Sequence, residues 1–160
     1  MLDRMDRKIL DILQKDCTLP VAEIGKLIGL STTPCWRRIQ KLEEQGVIER
    51  RVALLDPKKV NVGVTVFVSI ATSSHTNEWL ERFHAALNDF PEVVEFYRMS
   101  GKVDYLLRVV VPDIAQYDAF YKRLIAKIEL SDVSSAFAME QIKFTTALPL
   151  EYAAADEKRS

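Results

Sequence analysis

Residues 21–48, VAEIGKLIGLSTTPCWRRIQKLEEQGVI, contain two apolar periodicities separated by a break, and that break decides how the chain is read. Val21, Ile24, Leu27 and Ile28 recur at spacings of three, four and seven, the stripe of a short helix packed on one side. Pro20 suits its first turn. Gly29 ends it, because glycine takes the left-handed conformation of a helix C-terminus at no steric cost. Ser31 follows as an N-cap, and Pro34 is tolerated where a helix amide has no internal partner. A second helix therefore begins near Thr32, with Cys35, Ile39 and Leu42 inward and Thr32, Thr33, Trp36, Arg37, Gln40 and Lys41 outward.

Two short helices across a tight turn, the second polar and basic on its outer face, outline a helix-turn-helix that reads a DNA major groove. The candidate DNA-binding residues are Ser31, Thr32, Thr33, Pro34, Trp36, Arg37, Arg38, Gln40 and Lys41. Arg37 can pair bidentately with guanine, and the Gln40 amide matches adenine. Arg38 and Lys41 read as phosphate clamps, and the hydroxyls at the helix start suit phosphates or base edges. The competing reading of such a face is plain solvation, and Trp36 could instead tuck under the domain edge.

Upstream, Leu2, Met5, Ile9, Ile12 and Leu13 form the inner face of a further helix, with Asp3 or Asp6 near its positive end. Downstream, Val47-Ile48 and Val52 to Leu55, closed by Asp56-Pro57, read as a strand or wing leading into a hinge. From Val62 the period changes to two: Val62, Val64, Val66, Val68 and Ile70 lie on one strand face, with Thr65, Phe67 and Ser69 on the other. A helix with Leu80, Phe83, Leu87 and Phe90 inward comes next. Strands over about 93–99 and 103–111 follow, joined by Ser100-Gly101-Lys102. A second helix, boxed by Asp113 and Gln116, turns Ile114, Tyr117, Tyr121, Leu124 and Ile128 inward, and a last strand runs over about 133–143. Strand-helix-strand-strand-helix-strand is the split βαβ, ferredoxin-like arrangement, so the fold class is α+β.

The 160 residues, 48% of them apolar, can bury a real core in one domain or two small ones. The net charge of −1 hides an asymmetry. Residues 1–60 carry 12 Lys/Arg against 9 Asp/Glu, a net +3, whereas residues 61–160 carry 10 against 14, a net −4. The excess on the helix-turn-helix half is small, so tight binding calls for several such units joined together. With no leader-like start and no membrane-spanning apolar run, the expected location is the cytoplasm. Cys17 and Cys35 lack metal-type spacing, and Cys35 on the inward stripe acts as a small hydrophobe.

The run GLSTTPCWRRIQKLEEQGVI, followed by ALLDPKKVNVGV, MSGKVDYLLRVVVPD and SSAFAMEQIK, resembles the leucine-responsive/asparagine-regulator (Lrp/AsnC) family of transcription regulators over about residues 2–148. It is most similar to a branch that includes cysteine-responsive activators. The resemblance implies a DNA-binding domain over 1–50, a strand or hinge over 51–61, a ferredoxin-like domain over 62–150 that binds an amino acid and oligomerises, and a flexible tail over 151–160. It implies a homodimer that assembles into an octamer, with the effector between dimers. Carried over by position, the effector site comprises Met99, Ser100, Gly101, Val103, Asp104 and Tyr105 from the turn, and Ser134, Ser135 and Ala136 from the last strand. Asp104 would accept from the ammonium, while amides around Gly101 and the Ser135 hydroxyl would donate to the carboxylate. Cysteine is the first candidate effector, with leucine and methionine competing. The chain departs from the family pattern at Ile128-Glu129-Leu130, where many members have a Pro-Gly turn, and at Arg50-Arg51, where a Gly-aromatic pair is common.

Two other classes compete with this reading. An enzyme would need a nucleophile, metal or phosphate loop, yet His75 and His84 have no partner at a recognisable spacing, so no catalytic residue, metal or cofactor is expected. An architectural protein that wraps DNA with little sequence preference is the alternative, distinguishable by continuous rather than phased protection in footprinting.

Overall fold

The computed structural model describes residues 2–72 and 76–153. The chain divides into two compact units: Met1–Ala53 with Lys143–Ser160, and Leu54–Ile142. The first contains α1 (Arg4–Leu13), α2 (Val21–Ile28) and α3 (Thr32–Glu44). Asp3 starts α1 with a full capping box. Its carboxylate accepts from the Met5 and Asp6 amides, and the Asp6 side chain accepts from the Asp3 amide. Gly29, at φ 77°, closes α2 as expected. Ser31 occupies the N-cap position of α3 with extended backbone, but its hydroxyl makes no capping bond.

Ile9, Leu10, Leu13, Ile24, Ile28, Cys35, Ile39 and Leu42 form this unit's core. Leu27, expected inward, is 67% exposed. An eight-residue helix wedged between two others covers only a narrow stripe, and Ile24, Gly25 and Ile28 fill it. Similarly Leu10 is buried in α1, whereas Ile12 only flanks the cluster. Residues 47–55 do not form the expected strand or wing: Val52, Leu54 and Leu55 are exposed, and no described segment of this chain pairs with them.

The second unit contains β1 (Val64–Ala71), α4 (Asn77–Leu87), β2 (Val93–Arg98), β3 (Tyr105–Val111), α5 (Ile114–Lys127) and β4 (Asp132–Phe137). They build an antiparallel sheet in the order β2-β3-β1-β4, the expected βαββαβ arrangement. Val66, Val68 and Ile70 of β1 and Tyr105, Leu107, Val109 and Val111 of β3 are buried in one core with residues of α4 and α5. Trp79 and Phe120 belong to that core although the periodicity passed them over, and Ile114, expected inward, is 69% exposed. Thr76 and Asp113 cap α4 and α5 through the amides of Trp79 and Gln116. β4 stops at Phe137, short of residue 143. Past it, Met139 and Ile142 are almost fully exposed.

From Lys143 the chain belongs to the first unit, not to the sheet domain expected to run to 150. The Gln14 side chain grips this segment at two points, donating to the Leu148 carbonyl at 3.0 Å and accepting from the Leu148 amide at 2.9 Å. Leu150, at the head of a short 3-10 turn (Leu150–Tyr152), packs against the helical core.

Candidate nucleic-acid interface and effector site

α3 presents its outer face much as its periodicity requires. Ser31, Thr32, Thr33, Pro34, Arg37 and Lys41 are exposed, and Trp36 is 51% exposed rather than tucked away. Gly25 lets the turn between α2 and α3 close tightly on α2. A Cβ there would lie 2.6 Å from the Leu30 carbonyl oxygen in that turn, so only glycine fits, while the Cys35 Cβ of α3 would sit at an ordinary 3.6 Å. Burial pushes the Cys35 thiol upward against the opposing effect of the nearby Arg38 charge, which leaves a neutral packing group.

Two members of the candidate set are engaged within the unit. Arg38 is half-buried and its guanidinium bonds Asp3 at 2.5 Å and Asp6 at 2.7 Å. It braces α3 to the capped start of α1. At Asp3, burial pulls the carboxyl pKa upward, but the Asp6 amide, Arg38 and the Met5 amide outweigh it and leave the pKa below its ordinary value. Gln40, also half-buried, donates its amide to Glu43 at 3.1 Å, and the other Glu43 oxygen accepts from Arg51 at 2.7 Å. The brace and this chain of bonds escaped the sequence reading, because their partners lie 32 to 35 residues apart in one case and across the end of a helix in the other.

In the second unit, the turn after β2 and the start of β4 reach the same end of the sheet. Ile70 of β1 pairs with Tyr105 on one side and Val133 on the other. Met99 donates to the Asp104 carbonyl at 2.8 Å to close the hairpin, and Gly101 takes φ 120°. The Asp104 amide donates to the Ile70 carbonyl at 2.9 Å, and its carboxylate accepts from the Thr72 amide at 2.8 Å. Asp104 thus fastens the turn to the end of β1. Met99, Ser100 and Gly101 are exposed, and Val103 and Asp104 half-buried.

Tyr105 differs: only 4% exposed, its ring stacks among Trp79, Phe83 and Phe96 in the core. Across the sheet, Ser134 and Ala136 pair with Ser69 and Phe67, which belong to the outer face. Ser135 pairs with buried Val68, and its hydroxyl makes a short hydrogen bond with Tyr117 of α5. Burial pushes the Tyr117 phenol upward, partly offset by Ser135, so it stays protonated. His84 is exposed, with its ring edge-on to Phe96 at 4.9 Å; His75 lies outside the described residues. Among the described residues no cluster of metal-ligating side chains occurs, and no helix is long and apolar enough to cross a membrane.

Residues 2–43 match the family model of the AsnC-type helix-turn-helix domain, and residues 65–148 match that of the Lrp/AsnC ligand binding domain. This chain belongs to the Lrp/AsnC family. It is 52% identical to the DNA-binding transcriptional activator DecR of Escherichia coli, over 94% of this chain and all of that protein. A crystal structure of an AsnC family transcriptional regulator from Agrobacterium tumefaciens is similar at 75% identity and a TM-score of 0.93, covering 96% of this chain and all of the other. A transcriptional regulator from Neisseria meningitidis, solved as a complex with L-Met, is 34% identical with a TM-score of 0.89, covering 94% and 97%. As an Lrp/AsnC member the chain is a DNA-binding transcriptional regulator with a ligand-binding domain, not an enzyme. Nothing in these relatives favours the DNA-wrapping alternative.

Proposed function

We propose that this regulator reads DNA with α3 and is gated by a small amino acid held at the end of the sheet. Ser31, Thr32, Thr33, Pro34, Trp36, Arg37, Gln40 and Lys41 form the contact face, with Arg37 and Gln40 on base edges and Lys41 on phosphate. Arg38 acts one step back, holding α3 on α1. The effector site draws on Met99, Ser100, Gly101, Val103 and Asp104, together with the backbone at Tyr105 and the stretch Ser134, Ser135 and Ala136. One observation carries the reading: the turn and the start of β4 pair on either side of the same end of β1, which gathers the two segments at one end of the sheet.

Asp104 keeps its carboxylate at that end, where it can accept from an ammonium group as well as from Thr72. The L-Met complex of the Neisseria regulator supports an amino acid as the ligand class. Cysteine remains the first candidate, ahead of leucine and methionine. The outer sheet face, with Phe67 39% and Tyr97 50% exposed, supports assembly of copies into a dimer and then an octamer. Its setting in the cytoplasm follows from its partner, DNA.

The experiment is a titration of the full-length protein against its own upstream DNA at fixed salt, with and without each amino acid. The expected result is saturable binding whose affinity one small amino acid changes by about fivefold or more, the usual scale of allosteric coupling. Binding indifferent to every amino acid would overturn the gating.

A further inference from the structure

Glu43 bonds Gln40 through one oxygen and Arg51 through the other, at 3.1 and 2.7 Å. We infer that Glu43, itself held by Arg51, is a positioning residue that fixes the Gln40 amide for base discrimination, so the segment leaving the helix-turn-helix helps to set sequence preference. The inference rests on the reading of Gln40 as a base contact.

A carboxylate is an acceptor only, so Gln40 must turn its NH2 toward Glu43 and its carbonyl away. That choice removes the amide flip that a solvated glutamine samples freely. It leaves one N–H and the carbonyl oxygen for the duplex, the pair that adenine requires, with its N6 donor and N7 acceptor side by side. Half-buried Gln40 gives up part of its rotamer freedom before DNA arrives, so less is lost on binding.

Arg51 completes the device electrostatically. A lone carboxylate on a DNA-facing helix would repel phosphates, and the guanidinium neutralises it while fixing its rotamer. An isolated exposed ion pair contributes little to stability. Here its effect is to aim a third residue.

The test first selects a preferred site with the full-length protein, then measures competition by single-base variants for the wild type, Gln40→Ala, Glu43→Ala, Glu43→Gln and the Gln40→Ala/Glu43→Ala double variant. Gln40→Ala should lose about tenfold discrimination at one base pair of each half-site. Glu43→Ala should lose several-fold at that same base pair and nowhere else, while its affinity for random DNA rises because a negative charge has gone. Glu43→Gln, whose carbonyl still accepts, should restore most of the preference, and the double variant should resemble Gln40→Ala alone. A merely structural Glu43 would weaken random and preferred DNA together. If Gln40→Ala loses discrimination and Glu43→Ala does not, the positioning role is overturned while the base contact stands. If Gln40→Ala changes no position, both are overturned.

Discussion

Gly25 occupies a helix interior, where propensity alone favours alanine by about 1 kcal/mol. The structure reverses that preference. An added methyl would lie 2.6 Å from a backbone oxygen, which cannot move aside as a flexible side chain could. Gly25→Ala should therefore lower the thermal midpoint and weaken DNA binding by shifting the turn that leads into α3, and an unchanged midpoint would contradict the close approach to the Leu30 carbonyl. Asp3 offers a second test. Its lowered pKa means that it adds stability above its ordinary value of 3.8, and this contribution disappears as pH falls through the lower folded-state value. Asn can still cap a helix but cannot pair with Arg38, so Asp3→Asn isolates the ion pair. With the pair partly exposed, the expected loss near neutral pH is a few tenths of a kcal/mol to about 1 kcal/mol. The gap between the wild type and Asp3→Asn in denaturant melts should close as pH drops below that value. These residues also mark what a sequence can reveal. The polarity of α3 was legible because it repeats every three or four residues, whereas the close approach at Gly25 and the diversion of Arg38 depend on what lies opposite.

At the scale of elements, the period-two and period-3.6 patterns located α1 to α5 and the four sheet strands among the described residues. They erred where an element needs an outside partner. Val52 to Leu55 has the composition of a strand, but a strand forms only against another strand's amides and carbonyls, and the described chain supplies none there. The closing strand ends early for a related reason: its apolar residues continue past Phe137, yet its pairing with β1 stops at the bond from the Ala138 amide to the Thr65 carbonyl. The turn joining β2 and β3 lies where the sequence put it, but alternation could not reveal that Tyr105 and Ser135 face the helical layer. The segment from Lys143 to Tyr152 carried no periodic signal at all. Its anchors are the Gln14 bonds to Leu148 and the packing of Leu150. Leu150→Ala should destabilise the helical unit by roughly 1–2 kcal/mol, less than a full core truncation because the site is half-buried. Hydrogen exchange resolved by unit would register this as faster exchange in α1 and α2 with the sheet unchanged.

For the whole molecule, a net charge of −1 with only +3 on the first 60 residues limits what one reading head can do. Affinity then depends on how many heads engage at once, and salt dependence measures it. Lys41→Ala should weaken binding almost equally on every sequence and lower the slope of log affinity against log salt by about 1 per engaged head. A loss confined to one base position would instead place Lys41 on a base edge.

Both Leu2 and Leu150 pack on the helical core, and the backbone leaves that unit after Ala53 and re-enters it at Lys143. The reading head is therefore built from two separate segments of chain, with the sheet unit inserted between them. A protease cut at the first stem parts α1, α2 and α3 covalently from everything that follows, whereas a cut at the second frees only the closing segment. A clip after Ala53 still leaves the second fragment holding Gln14 through Leu148, so nicked protein should keep its fold until the other stem is severed too.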